Sequence, residues 1–226
     1  MRHSYWIIVF IIVLLADLVA VYFSNETLRY ITKPLLMPLL VIYFVSALKI
    51  FSSLLKKWII PAFLFSWAGD VLLMFESMNS NFFIFGLVAF LIAHIFYILF
   101  YENLIQHESI KKNYWLFIPV LIYYAVLVYI LSPNLGDMKL PVSIYGIVIS
   151  YMLIQALQVG RVKNMPAAAL MITGAVLFIT SDSILALNKF YKPFEYAGIL
   201  IMLTYGIAQL LITIGTVRYI TSTSKQ

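Results

Sequence analysis

Two stretches, "FSWAGDVLLM" over 65–74 and "FITSDSILAL" over 178–187, each set one carboxylate into an otherwise apolar run. An Asp at the middle of a membrane helix costs about 2.5–3.5 kcal/mol on insertion scales. Such residues face a bundle interior or a wet cavity and mark function more often than surface acids do. Asp70 is followed by five apolar residues, Val71 to Phe75, before Glu76. That run argues against the plainer reading of a helix-end acid capped by water. Asp182 meets the same competing reading from the loop at Asn188. Two carboxyls placed alike can do acid–base chemistry, because such a pair can share one proton and split the roles of acid and base.

The other ionisable residues of the apolar runs are Asp17 and His94, with Lys33 at the edge of one, just before Pro34. Asp17 has no polar company on its own helix, and a structural ion pair with Lys33 is its expected role. Lys33 is either a ligand for an anion or a side chain that snorkels to the interface. His94 shares a helix face with Phe90, Tyr97 and Tyr101 by i, i+3, i+4 and i+7 spacing. A helix–helix hydrogen bond competes there with a proton relay or headgroup ligand. Tyr151, Gln155 and Gln158 share one face, and Tyr205 and Gln209 another; each group is more often glue between helices than a site, and together they are expected to wall a central cavity. Cys is absent and the three His are scattered, so no metal site is expected by spacing. The sequence has no Gly-rich phosphate loop, G-x-S-x-G elbow or H-E-x-x-H helix. The 16 Tyr, 17 Phe and 4 Trp read as packing and interfacial anchors, and no cofactor is attached to them.

The elements that must position these residues follow from composition. Of 226 residues 64% are hydrophobic and 11% charged, against about 25% charged in soluble domains. The pattern predicts an all-α polytopic bundle of eight transmembrane helices in a single membrane domain, 1–226. The expected spans are roughly 5–23, 34–51, 58–75, 81–101, 114–131, 140–159, 165–187 and 194–217. The formal charge of +6 sits in the short connectors, where it signals topology rather than nucleic-acid binding. Arg2, Lys49, Lys56, Lys57, Lys111, Lys112, Arg161, Lys163, Arg218 and Lys225 gather on one side, twice as many as the Arg29, Lys33, Lys139, Lys189 and Lys192 of the other. Both termini are expected in the cytoplasm, with a bacterial inner (cell) membrane as the expected location. The N-terminal run contains Asp17 and lacks a small-x-small cleavage site, so it reads as a retained first helix. Asp17, Asp70 and Asp182 then fall in the outer halves of their helices, with Lys33 near the same face. Asp70 and Asp182 are 112 residues apart, as are Gly86 and Gly198. This hints at two four-helix pseudo-repeats of like orientation, although Lys33 falls opposite Tyr145 and His94 opposite Gly206.

Several stretches resemble one family. "TKPLLMP" (32–38), "FSWAGDVLLM", "FGLVAFLIAHIFYILF" (85–100), "FITSDSILALNKF" (178–190) and "MLTYGIAQLLI" (202–212) are similar to the YhhN-like lysoplasmalogenases, eight-helix membrane proteins. The likeness runs through nearly the whole chain and is carried by the ordered set G-D, H-x-x-Y, S-D and Y-x-x-A-Q. It implies hydrolysis of the vinyl ether bond of lysoplasmalogens to a fatty aldehyde and a glycerophospho-ethanolamine or -choline. It marks Asp70 and Asp182 as the catalytic acids. A vinyl ether is hydrolysed by protonating its β-carbon to give an oxocarbenium ion, to which water adds. One protonated and one ionised carboxyl suit that sequence, as in glycosidases. Lys33 is then the expected phosphate ligand, with Lys189 and Lys192 as weaker candidates. His94, Tyr97, Tyr205 and Gln209 are expected to order water or glycerol hydroxyls. The rival from another class is a proton-coupled transporter or lipid carrier using the same acids. An intramembrane aspartyl protease ranks last, since a P-A-L-like motif is absent.

Overall fold

The structure is a computed structural model that describes residues 5–51 and 53–223. Its eight long helices are α1 (Tyr5–Tyr22), α2 (Glu26–Ala47), α3 (Lys56–Met74), α4 (Asn81–His107), α5 (Phe117–Leu131), α6 (Lys139–Gln158), α7 (Met165–Ala186) and α8 (Ala197–Thr223). Each, with its flanking turns, is long and apolar enough to cross a membrane, so the chain is a multi-pass integral membrane protein. Arg2 and Lys225, two of the residues counted for orientation, lie outside the described residues. A single π-helical turn, Leu187–Tyr191, continues α7.

One boundary differs in a way that matters. The sequence places the opening of the second helix at Pro34, because proline favours a first turn. The helix opens instead at Glu26, where the Asn25 side chain accepts a hydrogen bond from the Leu28 N–H at 3.0 Å and caps the orphan donors. Lys33, Pro34 and Pro38 therefore lie inside α2. Pro38 has no N–H to give the Pro34 carbonyl four residues earlier. The Trp67 indole N–H on α3 donates to that carbonyl instead, at 2.9 Å. In a bilayer a freed backbone group must find its partner inside the protein, and Trp67 supplies it.

Seven helices follow one another around a closed ring in the order α1, α2, α3, α4, α6, α7, α8, with α8 packing back on α1. The fifth stacks outside against α6 and the end of α7. The most extensive contacts are the hairpins α7–α8 and α3–α4. In the first, a Cβ at Gly174 would stand 2.8 Å from the Ala208 carbonyl oxygen, so the two backbones meet where a side chain is missing.

The Pro34 carbonyl gives a direct test. Trp67→Phe keeps an aromatic ring and removes the donor, and is expected to cost about 1–3 kcal/mol. Thermal unfolding in detergent measures the loss. Leu64→Phe, at an exposed position of the same helix, is the control and should change little.

Candidate active site

Two clusters of largely buried polar side chains line one cavity. Asp70, on α3, accepts a hydrogen bond from the Tyr205 hydroxyl of α8 at 2.6 Å, and its other oxygen lies 3.9 Å from the Lys33 ammonium of α2. Asp182, on α7, accepts a hydrogen bond from the Tyr145 hydroxyl of α6. His94 Nε2, on α4, is 3.0 Å from the Tyr145 oxygen and 3.6 Å from Asp182. Tyr145 spends its proton on Asp182, so its oxygen is free to accept from His94 Nε2–H. The other ring nitrogen, His94 Nδ1, is buried and meets no partner among the described residues.

Local sequence explains the placement. A Cβ at Gly69 would come within 2.6 Å of the Phe90 ring. The glycine of G-D thus lets α4 lie flush against α3 beside the acid. The Ser181 hydroxyl of S-D donates to the Ile201 carbonyl at 2.9 Å and ties α7 to α8. Beneath the acids, Phe178 stacks edge-on to His94, Tyr205, Phe90 and Tyr97. This aromatic floor closes the cavity toward the other half of the bundle.

The cavity measures about 250 Å³ and is walled by Lys33, Asp70, Tyr145, Asp182 and Tyr205 among others. At its rim stand Arg29, Glu76 and Phe190. Lys189, on the π turn, pairs with Glu76 and sits 4.2 Å above the Phe83 ring. Arg29 Nε is buried and has no hydrogen-bond partner. Asp182 is 18% exposed in its side chain and Asp70 only 3%, so the seventh-helix acid presents more of itself to the cavity.

Asp70, Asp182, Lys33 and Tyr205 line the same cavity and His94 reaches Asp182 from behind, whereas Asp17, expected at the same depth, does not line it. Other expectations need correction. Lys33 does not snorkel; it is buried two turns inside α2 and faces Asp70 rather than Asp17. Asp17 takes its hydrogen bond from Thr32 at 2.7 Å. Tyr97 and Gln209 do not wall the cavity: one turn beyond His94 and Tyr205, the Tyr97 hydroxyl donates to the Gln209 side-chain oxygen at 2.6 Å. Gln155 and Gln158 turn instead to Glu102 and to Asn113, and Tyr151 is 39% exposed. Lys192 is exposed and does not line the cavity. Tyr145 and Arg29 are site residues that sequence reasoning missed. The signal for Tyr145 was present, since it stands 112 residues after Lys33, the same interval that separates the two acids. Each position supplies the partner of its own acid.

Fold and site define an eight-helix membrane protein with paired carboxyls on one intramembrane cavity. The chain belongs to the YhhN family, whose model matches residues 28–216. It is 33% identical over 151 residues to the lysoplasmalogenase TMEM86B of Rattus norvegicus, covering 66% of this chain and 57% of that protein. It is 31% identical over 163 residues to a lysoplasmalogenase of Mycobacterium bovis, covering 71% and 60%. It is also 31% identical over 161 residues to the human lysoplasmalogenase TMEM86A, covering 68% and 62%. The chain therefore spans about three-fifths of the length of these curated relatives. No solved structure matches it.

Removing one partner of a buried charge pair leaves the other uncompensated, at about 3–5 kcal/mol. Lys33→Met should therefore destabilise the fold strongly, and adding Asp70→Asn should recover part of the loss. Denaturation of the two single variants and the double variant in one detergent measures that coupling.

Proposed function

We propose that this protein is a membrane hydrolase that cleaves the vinyl ether bond of lysoplasmalogen-type lysolipids. The observation that carries the reading is the placement of Asp70 and Asp182 on the wall of one intramembrane cavity. The relatives named lysoplasmalogenase support the substrate class.

The environments of the acids suggest a division of labour. Asp182, more open to the cavity and bonded to the Tyr145–His94 pair, gives a proton to the β-carbon of the vinyl ether. The α-carbon becomes an oxocarbenium carbon. Asp70, beside Lys33 and Tyr205, is the carboxylate that stabilises this cation and takes a proton from the attacking water. The hemiacetal then collapses. Its carbon–oxygen bond to glycerol breaks, the glycerol oxygen takes the proton held by Asp70, and the hemiacetal hydroxyl returns a proton to Asp182. Aldehyde and glycerophospho-alcohol leave, and both acids are restored. Arg29, which lines the cavity and whose Nε meets no partner among the described residues, is the cation we assign to the phosphate in place of Lys33. Both termini face the cytoplasm in this reading and the mouth opens on the opposite side, supported by the two-to-one bias of Lys and Arg between the connectors. In a bacterium the host membrane would be the cell membrane.

The test is aldehyde release by purified, detergent-solubilised protein. Asp70→Asn and Asp182→Asn should each lower kcat by about 10²–10⁴-fold. The pH profile separates their roles. An acid must be protonated, so its step fails as pH rises; a base must be ionised, so its step fails as pH falls. The residual activity of Asp182→Asn should lack the alkaline limb, and that of Asp70→Asn the acid limb. Full activity in either variant contradicts the two-acid mechanism.

A further inference from the structure

At about 250 Å³, the cavity is smaller than the about 300–1,000 Å³ of typical small-molecule sites. It has room for the polar head and the reacting bond, while a long hydrocarbon chain must leave it. An apolar slot adjoins the cavity at Asp182. Between α5, α6 and α7 runs a slot of about 40 Å³ lined by Leu127, Val128, Leu131, Gly146, Ile149 and Ile179. Val142, Tyr145, Asp182 and Ala186 belong to both the slot and the cavity. A second apolar groove, between α2 and α3 at Met37, Val41 and Trp67, shares no residue with the cavity.

The slot is narrow, so a chain can fill it only as its outer wall yields. That wall is α5, the helix outside the ring. Of its residues only Val120 and Leu131 are buried. Near the slot, two tyrosine hydroxyls hold it. Tyr123 shares a hydrogen bond with Ser183 of α7, and Tyr124 donates to the Ser143 carbonyl of α6 at 3.2 Å. The remaining contacts are apolar and exchange readily for methylene groups.

We infer that the slot between α5, α6 and α7 binds the hydrocarbon chain of a single-chain lipid and leads it from Asp182 sideways into the bilayer. The choice of lipid rests on the lysolipid hydrolase reading. The slot itself rests on the four lining residues it shares with the cavity. Depth of chain burial then sets substrate preference, at about fourfold in affinity per buried methylene.

Two measurements test this. The first is the ratio of kcat/KM for long-chain over short-chain vinyl ether lysolipids, each below its micelle concentration. Val128→Trp fills the slot from α5. Gly146→Leu fills it from α6, where a Cβ already comes within 2.8 Å of the Tyr124 ring. Each should lower the ratio tenfold or more, while Val41→Trp in the α2–α3 groove leaves it as in the native protein. An unchanged ratio in both slot variants, or a collapse in Val41→Trp, overturns the inference. The second uses the native protein in nanodiscs with an alkyl ether lysolipid carrying a diazirine midway along its chain. The label is expected on α5, α6 and α7 around Leu127, Ile149 and Ile179; label confined to α2 and α3 overturns the inference. Because this probe needs no turnover, label in the slot without vinyl ether hydrolysis would keep the slot and remove the hydrolase reading. Hydrolysis with label elsewhere would do the reverse.

Discussion

An acid inside an apolar bundle must find its hydrogen bonds among the helices around it, because the lipid offers none. Here that demand organises the molecule. Asp70 on α3 draws Lys33 from α2 and Tyr205 from α8. Asp182 on α7 draws Tyr145 from α6, with His94 of α4 behind it. Six of the seven ring helices are thus tied through two carboxyls, and Asp17 adds α1 by its bond to Thr32 of α2. Only α5 stays outside this network, and it is also the least buried helix.

The same arrangement limits how the acids can behave. They line one small cavity and keep different company, a lysine and a tyrosine for one and a tyrosine–histidine pair for the other. Two like groups in unlike surroundings are how one site holds an acid and a base together. Phe178 and its ring of aromatic neighbours close the cavity below. The rim is polar, with Glu76 engaged by Lys189 and the Arg29 Nε without a partner among the described residues. A lipid with a phosphate in its head and a reactive bond just inside the apolar region matches that gradient.

Much of this was legible in the sequence. Eight apolar runs gave eight helices, and two of the three Asp residues in those runs, Asp70 and Asp182, line one cavity. What local reading missed came from long-range partners. Pro34 looked like a helix start, but Asn25 capped the helix earlier and Trp67 of the next helix satisfied the carbonyl that Pro38 could not serve. Lys33 thereby moved from an interfacial position to a buried one. Tyr97 and Gln209 carried the right residue types for a cavity wall, yet they chose each other one turn along. Helical periodicity identifies a face, and cannot say which neighbour that face meets. Tyr145 was passed over because Tyr and Lys do not look alike in an internal comparison, although Tyr145 donates to one Asp and Lys33 lies as an ion pair beside the other.

The central claim is that an intramembrane carboxyl delivers a proton to carbon. Its most direct test is to run the hydrolysis of a vinyl ether lysolipid in D₂O, trap the aldehyde as it forms, and read its mass. The account predicts one deuterium at the carbon next to the carbonyl, together with a slower rate than in H₂O. Aldehyde released without that deuterium would contradict it.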